Sequence, residues 1–273
     1  MTRVGAERKS TRSYRVEALA KGLAILSLFS GERPALRVKE IVELSGIPMP
    51  TVFRMVATLE EEGFLERTVD GRVRPGTGVL ALGFAALQGL DVVDMSSAAL
   101  RELAELTGET VNLGVLSGDQ VLFVARIQRP NTRVAANIRV GSIVPAVFSS
   151  IGKVLLAYLG SEDLTTRITE ESFAGVWGPK AARSLTQLER QLLSVRHNGY
   201  ILQVEEAIPG LSSIAAPIRQ AGGEVVAAVN LAVPTAEYSK AQIVERLRQP
   251  LLNACREISM RLGGSGTVGA HTA

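Results

Sequence analysis

Two short helical patterns joined by a tight turn near the N-terminus constrain this chain more than any other feature. Apolar residues recur at helical spacing over Val38–Leu44 and again from about Pro50 to Glu62. The residues between them, 45–48, read Ser-Gly-Ile-Pro and suit a tight turn. Two helices joined in this way form a helix-turn-helix, whose second helix typically enters the major groove of DNA.

The flanking residues extend this unit. Leucines at helical spacing predict a preceding helix over Val16–Phe29. On the other side, short runs at 64–67 and 72–74 have strand character and flank Asp70-Gly71, a dipeptide that favours a type I′ hairpin turn. We therefore predict a two-stranded wing, and with it a winged helix-turn-helix.

The net charge of +3 is concentrated in the same part of the chain. Residues 1–75 contain 13 Lys and Arg against 10 Asp and Glu, whereas residues 76–273 contain 17 of each. An excess of positive charge beside a helix-turn-helix favours a partner with a phosphate backbone, although a solvated basic tail would have the same composition.

Helical spacing also predicts which residues of this unit face outward. Val52, Val56 and Leu59 fall at core-facing positions, which leaves the polar residues between them for a groove. Each cation could instead be an ordinary solvated charge, but as a set on one small domain they favour DNA, through base edges or phosphates. The residues that we expect to contact DNA are Arg37, Lys39, Thr51, Arg54, Thr58, Arg72 and Arg74.

The C-terminal half alternates between helical and strand patterns. Gly78–Gln88 is apolar on most sides, so we expect it to be a helix that packs against a partner rather than a free linker. Hairpin-like turns near both ends indicate an antiparallel sheet with helices packed on it, and hence an α+β domain. The predicted strands are Val111–Leu116, Val121–Ile127, Arg133–Val140, Val204–Glu206, Ser212–Arg219 and Val225–Val233, and the predicted helices are Asp94–Leu106, Ser150–Leu159, Thr186–His197 and Lys240–Leu262.

Composition argues against several other classes of protein. Cys255 is the only cysteine, which excludes an internal disulfide framework and a cysteine-based zinc site. Neither a secretory signal nor an apolar run of about 18 residues is present, so we expect a cytoplasmic protein without a membrane partner.

The two histidines have no suitable neighbours in the sequence, and we predict no enzyme activity, no metal site and no cofactor. Ser150 and Lys153 match a Ser-x-x-Lys spacing, but no accompanying catalytic motif is present.

Four motifs of the chain resemble those of the IclR family of bacterial transcriptional regulators. In the N-terminal part they are ALAKGLAILSLF and LRVKEIVELSGIPMPTVFRMVATLEEEGFLER, which is followed by the Asp-Gly wing. In the C-terminal part they are FSSIGKVLLAYL and GYILQVEEAIPGLSSIAAPIRQAGGEVVAAVNLAVP. The resemblance runs in order from about Val16 to Leu262.

The resemblance implies a C-terminal GAF-like antiparallel-sheet domain that binds a small effector, and assembly as a homodimer or tetramer. It implies the winged helix-turn-helix (16–76), a linker helix (77–92) and the effector-binding domain (93–262). The polar, basic N-terminus and the Gly-rich C-terminus add a predicted disordered basic arm (1–15) and a predicted disordered tail (263–273). Carried over motif by motif, the effector-binding positions are Ser149, Ser150, Ile151, Gln203, Ser213, Asn230 and Ala232. Gln203 stands where many relatives have an acid.

The start of the helix at Ser150 presents free backbone N–H groups, which suit the carboxylate of an organic acid. The alternatives are that Ser149 and Ser150 only cap this helix, and that Ser213 and Asn230 are satisfied polar residues of a core. We therefore expect a ligand-responsive regulator that binds double-stranded operator DNA and controls the catabolism of aromatic or other organic acids. The alternative is an effector-independent DNA-binding protein whose C-terminal domain only oligomerises.

Overall fold

A computed structural model describes residues 15–31, 33–89, 91–128 and 138–264. These residues form two compact units, with the boundary between Ala86 and Leu87. No helix in the described ranges has the length and apolar character needed to cross a membrane. The described helices are α1 (Glu17–Leu26), α2 (Val38–Ser45), α3 (Met49–Glu61), α4 (Thr77–Gln88), α5 (Asp91–Thr107), α6 (Ser150–Ala157), α7 (Ser161–Arg167), α8 (Leu185–Asn198) and α9 (Lys240–Arg261). The described strands are β1 (Leu65–Arg67), β2 (Val73–Pro75), β3 (Thr110–Ser117), β4 (Gln120–Ile127), β5 (Ile143–Pro145), β6 (Ile201–Val204), β7 (Leu211–Arg219) and β8 (Val225–Pro234).

The N-terminal unit is a winged helix-turn-helix, as the sequence predicts. Helices α1, α2 and α3 surround a small apolar core in which Ile25, Ile41, Val52 and Val56 are fully buried. Gly46 ends α2 in the left-handed conformation, which a residue without a Cβ adopts at little cost. Because α2 and α3 share this core, the outer side of α3 is left exposed.

The wing forms, but its turn differs from the predicted type I′ turn. That turn needs positive φ at two central residues, and Asp70 does not have it. Instead, the N–H of Gly71 donates to the carbonyl of Thr68 (3.0 Å) and the N–H of Thr68 donates to the carbonyl of Arg72 (2.9 Å). The loop therefore has three residues, Val69 to Gly71, and only Gly71 takes the left-handed conformation.

The C-terminal unit is built on a six-stranded sheet in the order β5-β4-β3-β8-β7-β6, with every neighbouring pair antiparallel. The third strand of this domain is β5, and not the predicted Arg133–Val140. Residues 133–137 lie outside the described part, and residues 138–140 are not in a strand. Gly141 has a φ of 88° and turns the chain, so that the following residues pair with β4.

The two faces of the sheet have separate cores because side chains alternate along each strand. On one face, residues such as Leu113 and Leu231 pack against α5 and α9. On the other face, Phe123 and Ala215 pack with α6 and α8. Polar residues of the sheet lie on this second face, which is therefore the one that can hold a polar ligand.

Two of the five predicted segments, the linker helix and the tail, differ from the observed element ends. The predicted linker helix, 77–92, is α4 followed by the first residues of α5, which begins at Asp91. The predicted tail begins at Gly263, but Gly263 has a φ of 74° and the N–H of Gly264 donates to the carbonyl of Ser259 (2.8 Å). These two glycines cap α9. The rest of the tail and residues 1–14 of the arm lie outside the described residues.

Candidate functional site

Strand register brings the polar residues of the second face into two rows. Arg126 on β4 lies directly opposite Asn112 on β3, which lies opposite Asn230 on β8. In the next row, two residues along each strand, Thr110, Ala232, Ser213 and Gln203 are cross-strand neighbours on β3, β8, β7 and β6. Residues two apart on a strand share a face, so both rows face the same side.

A cavity lies over these two rows. Its volume is about 610 Å³, including the space at its open mouth. Six of the seven predicted effector-binding residues line it, and the side chain of the seventh, Ile151, is instead fully buried in the apolar core. The described lining residues are Thr110, Asn112, Phe123, Arg126, Ile138, Val144, Ser149, Ser150, Gln203, Ala207, Ile208, Leu211, Ser213, Asn230, Ala232 and Pro234.

A chain of side-chain hydrogen bonds connects the floor of the cavity to the start of α6. Asn112 Nδ2 donates to Asn230 Oδ1 (2.7 Å), and Asn230 Nδ2 donates to Ser150 Oγ (3.1 Å). Ser213 Oγ also donates to Ser150 Oγ (2.8 Å). Ser150 accepts both bonds, so its own hydroxyl hydrogen has no acceptor among the described residues and can donate to a ligand.

The first turn of α6 is held in place by a close backbone approach. A Cβ at Gly152 would lie 2.2 Å from the carbonyl oxygen of Ala146, so only glycine fits there. Ser149 occupies the N-cap position without making a side-chain capping hydrogen bond. The side chain of Ser149 therefore does not cap α6, and the backbone N–H groups of the first turn of α6 remain available.

A buried ion pair joins α6 to the segment that follows β6. Lys153 Nζ donates to a carboxylate oxygen of Glu206, and Gln191 Nε2 approaches the same oxygen at 3.4 Å. Lys153 is fully buried, and burial lowers the pKa of its ammonium group while the attraction of Glu206 opposes the shift. Because Lys153 binds Glu206 and not Ser150, the Ser-x-x-Lys spacing does not form a nucleophile with its base.

Residues 205 and 206 are not part of a strand, contrary to the predicted Val204–Glu206. Strand β6 ends at Val204, and Glu205 follows it with a φ of 52°, the only positive value of a non-glycine residue in the described ranges. The Glu205 carboxylate accepts from the N–H of Gly210 (3.0 Å), which lowers its pKa. The chain thus bends here, and Ala207 and Ile208 line the cavity.

Sequence reasoning missed the β3 and β4 side of the cavity, which is Thr110, Asn112 and Arg126. Each is a polar residue in or beside an otherwise apolar strand, and that isolated polarity was the available signal. Arg126 Nη1 donates to Asn112 Oδ1 (2.7 Å). Register decides that this arginine faces the cavity, and register was not predicted from the sequence.

The N-terminal unit presents an exposed helix face for DNA. Arg54 and Thr58 are exposed on α3, and Thr51 is half-buried. Thr58 Oγ1 donates to the carbonyl of Arg54 (3.1 Å), so this hydroxyl can act only as an acceptor toward another molecule. Within the described residues the Arg54 side chain has neither an acidic partner nor a hydrogen-bond acceptor, and its guanidinium is free for a base or a phosphate.

The remaining predicted DNA contacts have different surroundings. Arg72 lies in the hairpin loop rather than on β2 and pairs with Asp70 (3.0 Å), while Arg74 pairs with Glu66 (2.6 Å). Lys39 lies 3.9 Å from Glu43. Arg37 is exposed before α2, where its N–H donates to the Glu40 carboxylate (2.6 Å). The wing cations are thus already neutralised by acids, which leaves Arg37 and Arg54 as the free cations of the predicted set.

The distribution of charge within this unit sharpens the prediction made from composition. Residues 1–15 contain five Lys and Arg against one acid, whereas residues 16–75 contain eight against nine acids. The excess positive charge therefore belongs to the N-terminal arm, and the winged helix-turn-helix itself is nearly neutral. Its affinity for DNA must depend on a few well-placed cations.

Comparison with known proteins agrees with this arrangement of domains. The IclR helix-turn-helix domain model matches residues 18–68, and the model described as bacterial transcriptional regulator IclR C-terminal matches residues 84–260. The chain belongs to the IclR family. It is therefore a DNA-binding, ligand-responsive transcriptional regulator, and the predicted α+β fold and family resemblance are both confirmed.

Individual IclR-family relatives match over nearly the whole chain. The transcriptional regulator BhcR of Paracoccus denitrificans is 32% identical over 248 residues, which cover 89% of this chain and 86% of BhcR. The Pca regulon regulatory protein of Pseudomonas putida is 29% identical over 257 residues, 90% of this chain and 84% of that protein. The crystal structure of an IclR homolog from Microbacterium hydrocarbonoxydans, complexed with 4-hydroxybenzoate, has a TM-score of 0.75 and 27% identity, covering 90% and 99% of the two chains.

Proposed function

We propose that this IclR-family regulator controls the catabolism of an organic acid and that a small organic anion, most simply an aromatic acid, is its effector. The observation that carries this proposal is the cavity on the sheet, whose lining combines polar side chains, among them Ser149 and Ser150 at the start of α6, with apolar residues. Helix N-termini favour anions, and the volume of the cavity suits a small molecule. The 4-hydroxybenzoate held by one relative supports an aromatic acid as the first choice.

The effector site can be tested by replacing Asn230 with Leu. This change removes the bonds that Asn230 makes to Asn112 and Ser150 and places an apolar side chain in the cavity. We expect at least a tenfold loss of affinity for whichever acid stabilises the wild-type protein in a thermal-shift screen of aromatic and small organic acids, with 4-hydroxybenzoate included. Affinity for operator DNA without effector should be unchanged.

The matched control is Asn198→Leu, at an exposed asparagine at the end of α8. It should leave both effector and DNA affinity at the wild-type level. A normal effector response in the Asn230→Leu protein would contradict the assignment of the cavity, whereas the absence of stabilisation by every acid in the screen would contradict the proposed effector class.

We also propose that α3 reads operator DNA, with Arg54 as its principal contact. Replacing Arg54 with Ala should weaken binding to operator fragments from the neighbouring genes by about tenfold or more, the effect of losing one base or phosphate contact. Fluorescence anisotropy at two salt concentrations measures the loss. Sedimentation should find the oligomeric state unchanged, because the Arg54 side chain is exposed and makes no hydrogen bond or ion pair with another described residue.

Arg33→Ala is the control for this experiment, because Arg33 is an exposed cation of the same unit outside the predicted set. Its DNA affinity should stay within about twofold of wild type. Equal losses in the two variants would mean that Arg54 contributes only general charge, and an unchanged affinity of Arg54→Ala would remove α3 from the interface.

We propose further that the protein acts as a homodimer or tetramer that places paired winged helices on a nearly palindromic operator. Exposed leucines support an interface between copies. Leu19 and Leu23 on α1, with Leu80 and Leu82 on α4, are each 54–63% exposed. Large apolar side chains gathered on two helices favour burial against a second copy.

The alternative function is an effector-independent regulator whose C-terminal domain only oligomerises. It would be favoured by a cavity filled with side chains. The open volume over the sheet and the unused donor of Ser150 favour an effector instead.

A further inference from the structure

Arg126 is placed in the cavity by sheet register. It lies on β4 in the same row as Asn112 and Asn230, and its Nη1 donates to Asn112 Oδ1 at 2.7 Å. Asn112 is itself nearly fully buried and held on its other side by its bond to Asn230. The guanidinium is therefore held at one end of a hydrogen-bonded row and does not move freely in solvent.

The charge of Arg126 has no counter-ion among the residues that the structure describes. No carboxylate of the described residues lies within ion-pair distance of it, and its Nε–H is buried without an acceptor. Burial lowers the pKa of this guanidinium, yet arginine remains protonated at neutral pH. A half-buried cation with an unused donor is unfavourable without an anion, because a buried donor left unpaired loses its hydrogen bonds to water.

The other described lining residues of the cavity carry no charge that would neutralise Arg126. Apart from Arg126, none of its described lining residues is ionisable. Gln203 is a neutral amide whose Nε2 donates to the carbonyl of Phe148. The cavity as described is therefore positive at its β4 side and neutral elsewhere.

The second polar end of the cavity lies two strands away. Neighbouring strands are about 4.8 Å apart, so β4 and β8 are separated by about 10 Å. At that far end the hydroxyl hydrogen of Ser150 is free, because Ser150 accepts from both Asn230 and Ser213. Phe123, Ile138 and Val144 are apolar lining residues of the same cavity. A ligand that contacts both ends needs two oxygen functions on opposite sides of an apolar body.

We infer that Arg126 binds the carboxylate of the effector and that Ser150 donates to a second oxygen across the ligand, which makes the effector an aromatic acid with an oxygen substituent opposite the carboxylate. This inference rests on the proposed function, and it reverses the orientation expected from the sequence, in which the carboxylate would bind the start of α6. A guanidinium can donate two parallel hydrogen bonds to one carboxylate. No other described lining residue has such a group. Arg126 is thus the residue that determines specificity for an acid.

The experiment compares two ligands that differ only in charge. Isothermal titration of the full-length protein with 4-hydroxybenzoate and with 4-hydroxybenzamide should give about 10- to 100-fold tighter binding of the carboxylate, the range of a charge-assisted hydrogen bond. Arg126→Gln should bring the two affinities within about threefold, chiefly by weakening the acid. Arg126→Lys should retain part of the preference, since it keeps the charge and loses the planar fork.

Arg190→Gln, at an exposed arginine of α8, is the matched control and should keep the wild-type preference. A wild-type preference for the acid that survives in Arg126→Gln would overturn the inference and leave the proposed function intact, with the carboxylate then assigned to the start of α6. A wild-type protein that binds neither 4-hydroxybenzoate nor any other acid of the screen would overturn both. If Arg126→Gln is less stable, equal binding of acid and amide by the wild-type protein contradicts the inference without any variant.

Discussion

Replacing Lys153 with Met is expected to lower the free energy of unfolding of the C-terminal unit by about 3–5 kcal/mol, because it leaves the Glu206 carboxylate buried without its cation. A loss of this size is a large part of the stability of an ordinary domain. The loss comes from the charge left unpaired, since Met is close to Lys in length and apolar surface.

A second substitution separates that cause from simple loss of packing. Adding Glu206→Leu to Lys153→Met removes the unpaired charge, and the double variant should regain at least about 2 kcal/mol over the single one. The neighbouring pair of Lys180 and Glu205 provides the control, because Lys180 is exposed, Glu205 is only half-buried and their charged atoms lie 3.3 Å apart. Lys180→Met should change stability by less than about 1 kcal/mol.

The fluorescence of Trp177 allows the free energy of unfolding of the C-terminal unit to be measured specifically. Trp177 is the only tryptophan of the chain, and its ring stacks on Phe148 beside the start of α6, with ring centroids 4.4 Å apart. Urea unfolding followed by its fluorescence therefore reports on this unit. If the free energy of unfolding of the Lys153→Met protein lies within about 1 kcal/mol of wild type, the ion pair does not contribute to stability as predicted.

The second large effect is expected for Gly152→Ala. In a helix this change ordinarily stabilises by up to about 1 kcal/mol, because alanine has the higher helix propensity. At Gly152 the new Cβ would lie 2.2 Å from the Ala146 carbonyl oxygen and 2.4 Å from the Ala146 Cα, both backbone atoms of a buried segment. We expect a loss of about 3 kcal/mol or more, near the upper end of the range for overpacked sites.

The control for this prediction is Gly160→Ala, just before α7. A Cβ there meets no atom within 4 Å, and the residue has a φ of −62°, which alanine adopts readily. Its unfolding curve should lie within about 0.5 kcal/mol of wild type. Stabilisation by Gly152→Ala would show that α6 does not approach the backbone of residue 146 as closely as described.

Much of the local structure could be predicted from the sequence. Helices α2, α3 and α8 and strands β7 and β8 begin and end within about a residue or two of their predicted bounds, because apolar spacing and flanking turn residues are local signals. The wing turn was predicted with the wrong type, since Asp-Gly fits more than one hairpin loop and the register of β1 against β2 makes the choice.

By itself, then, the amino-acid pattern determined the helix-turn-helix and the α+β class, and the family resemblance of its motifs supplied six of the residues that line the cavity. Only the tertiary structure decided that Arg126 and Asn112 join them, that Lys153 pairs with Glu206 rather than with Ser150, and that the wing arginines are already paired with acids. The physical reason is that helical and strand periodicity depend on near neighbours in the chain. Charge pairing and strand register join residues far apart in sequence, and a shift of one residue in β4 would turn Arg126 to the opposite face.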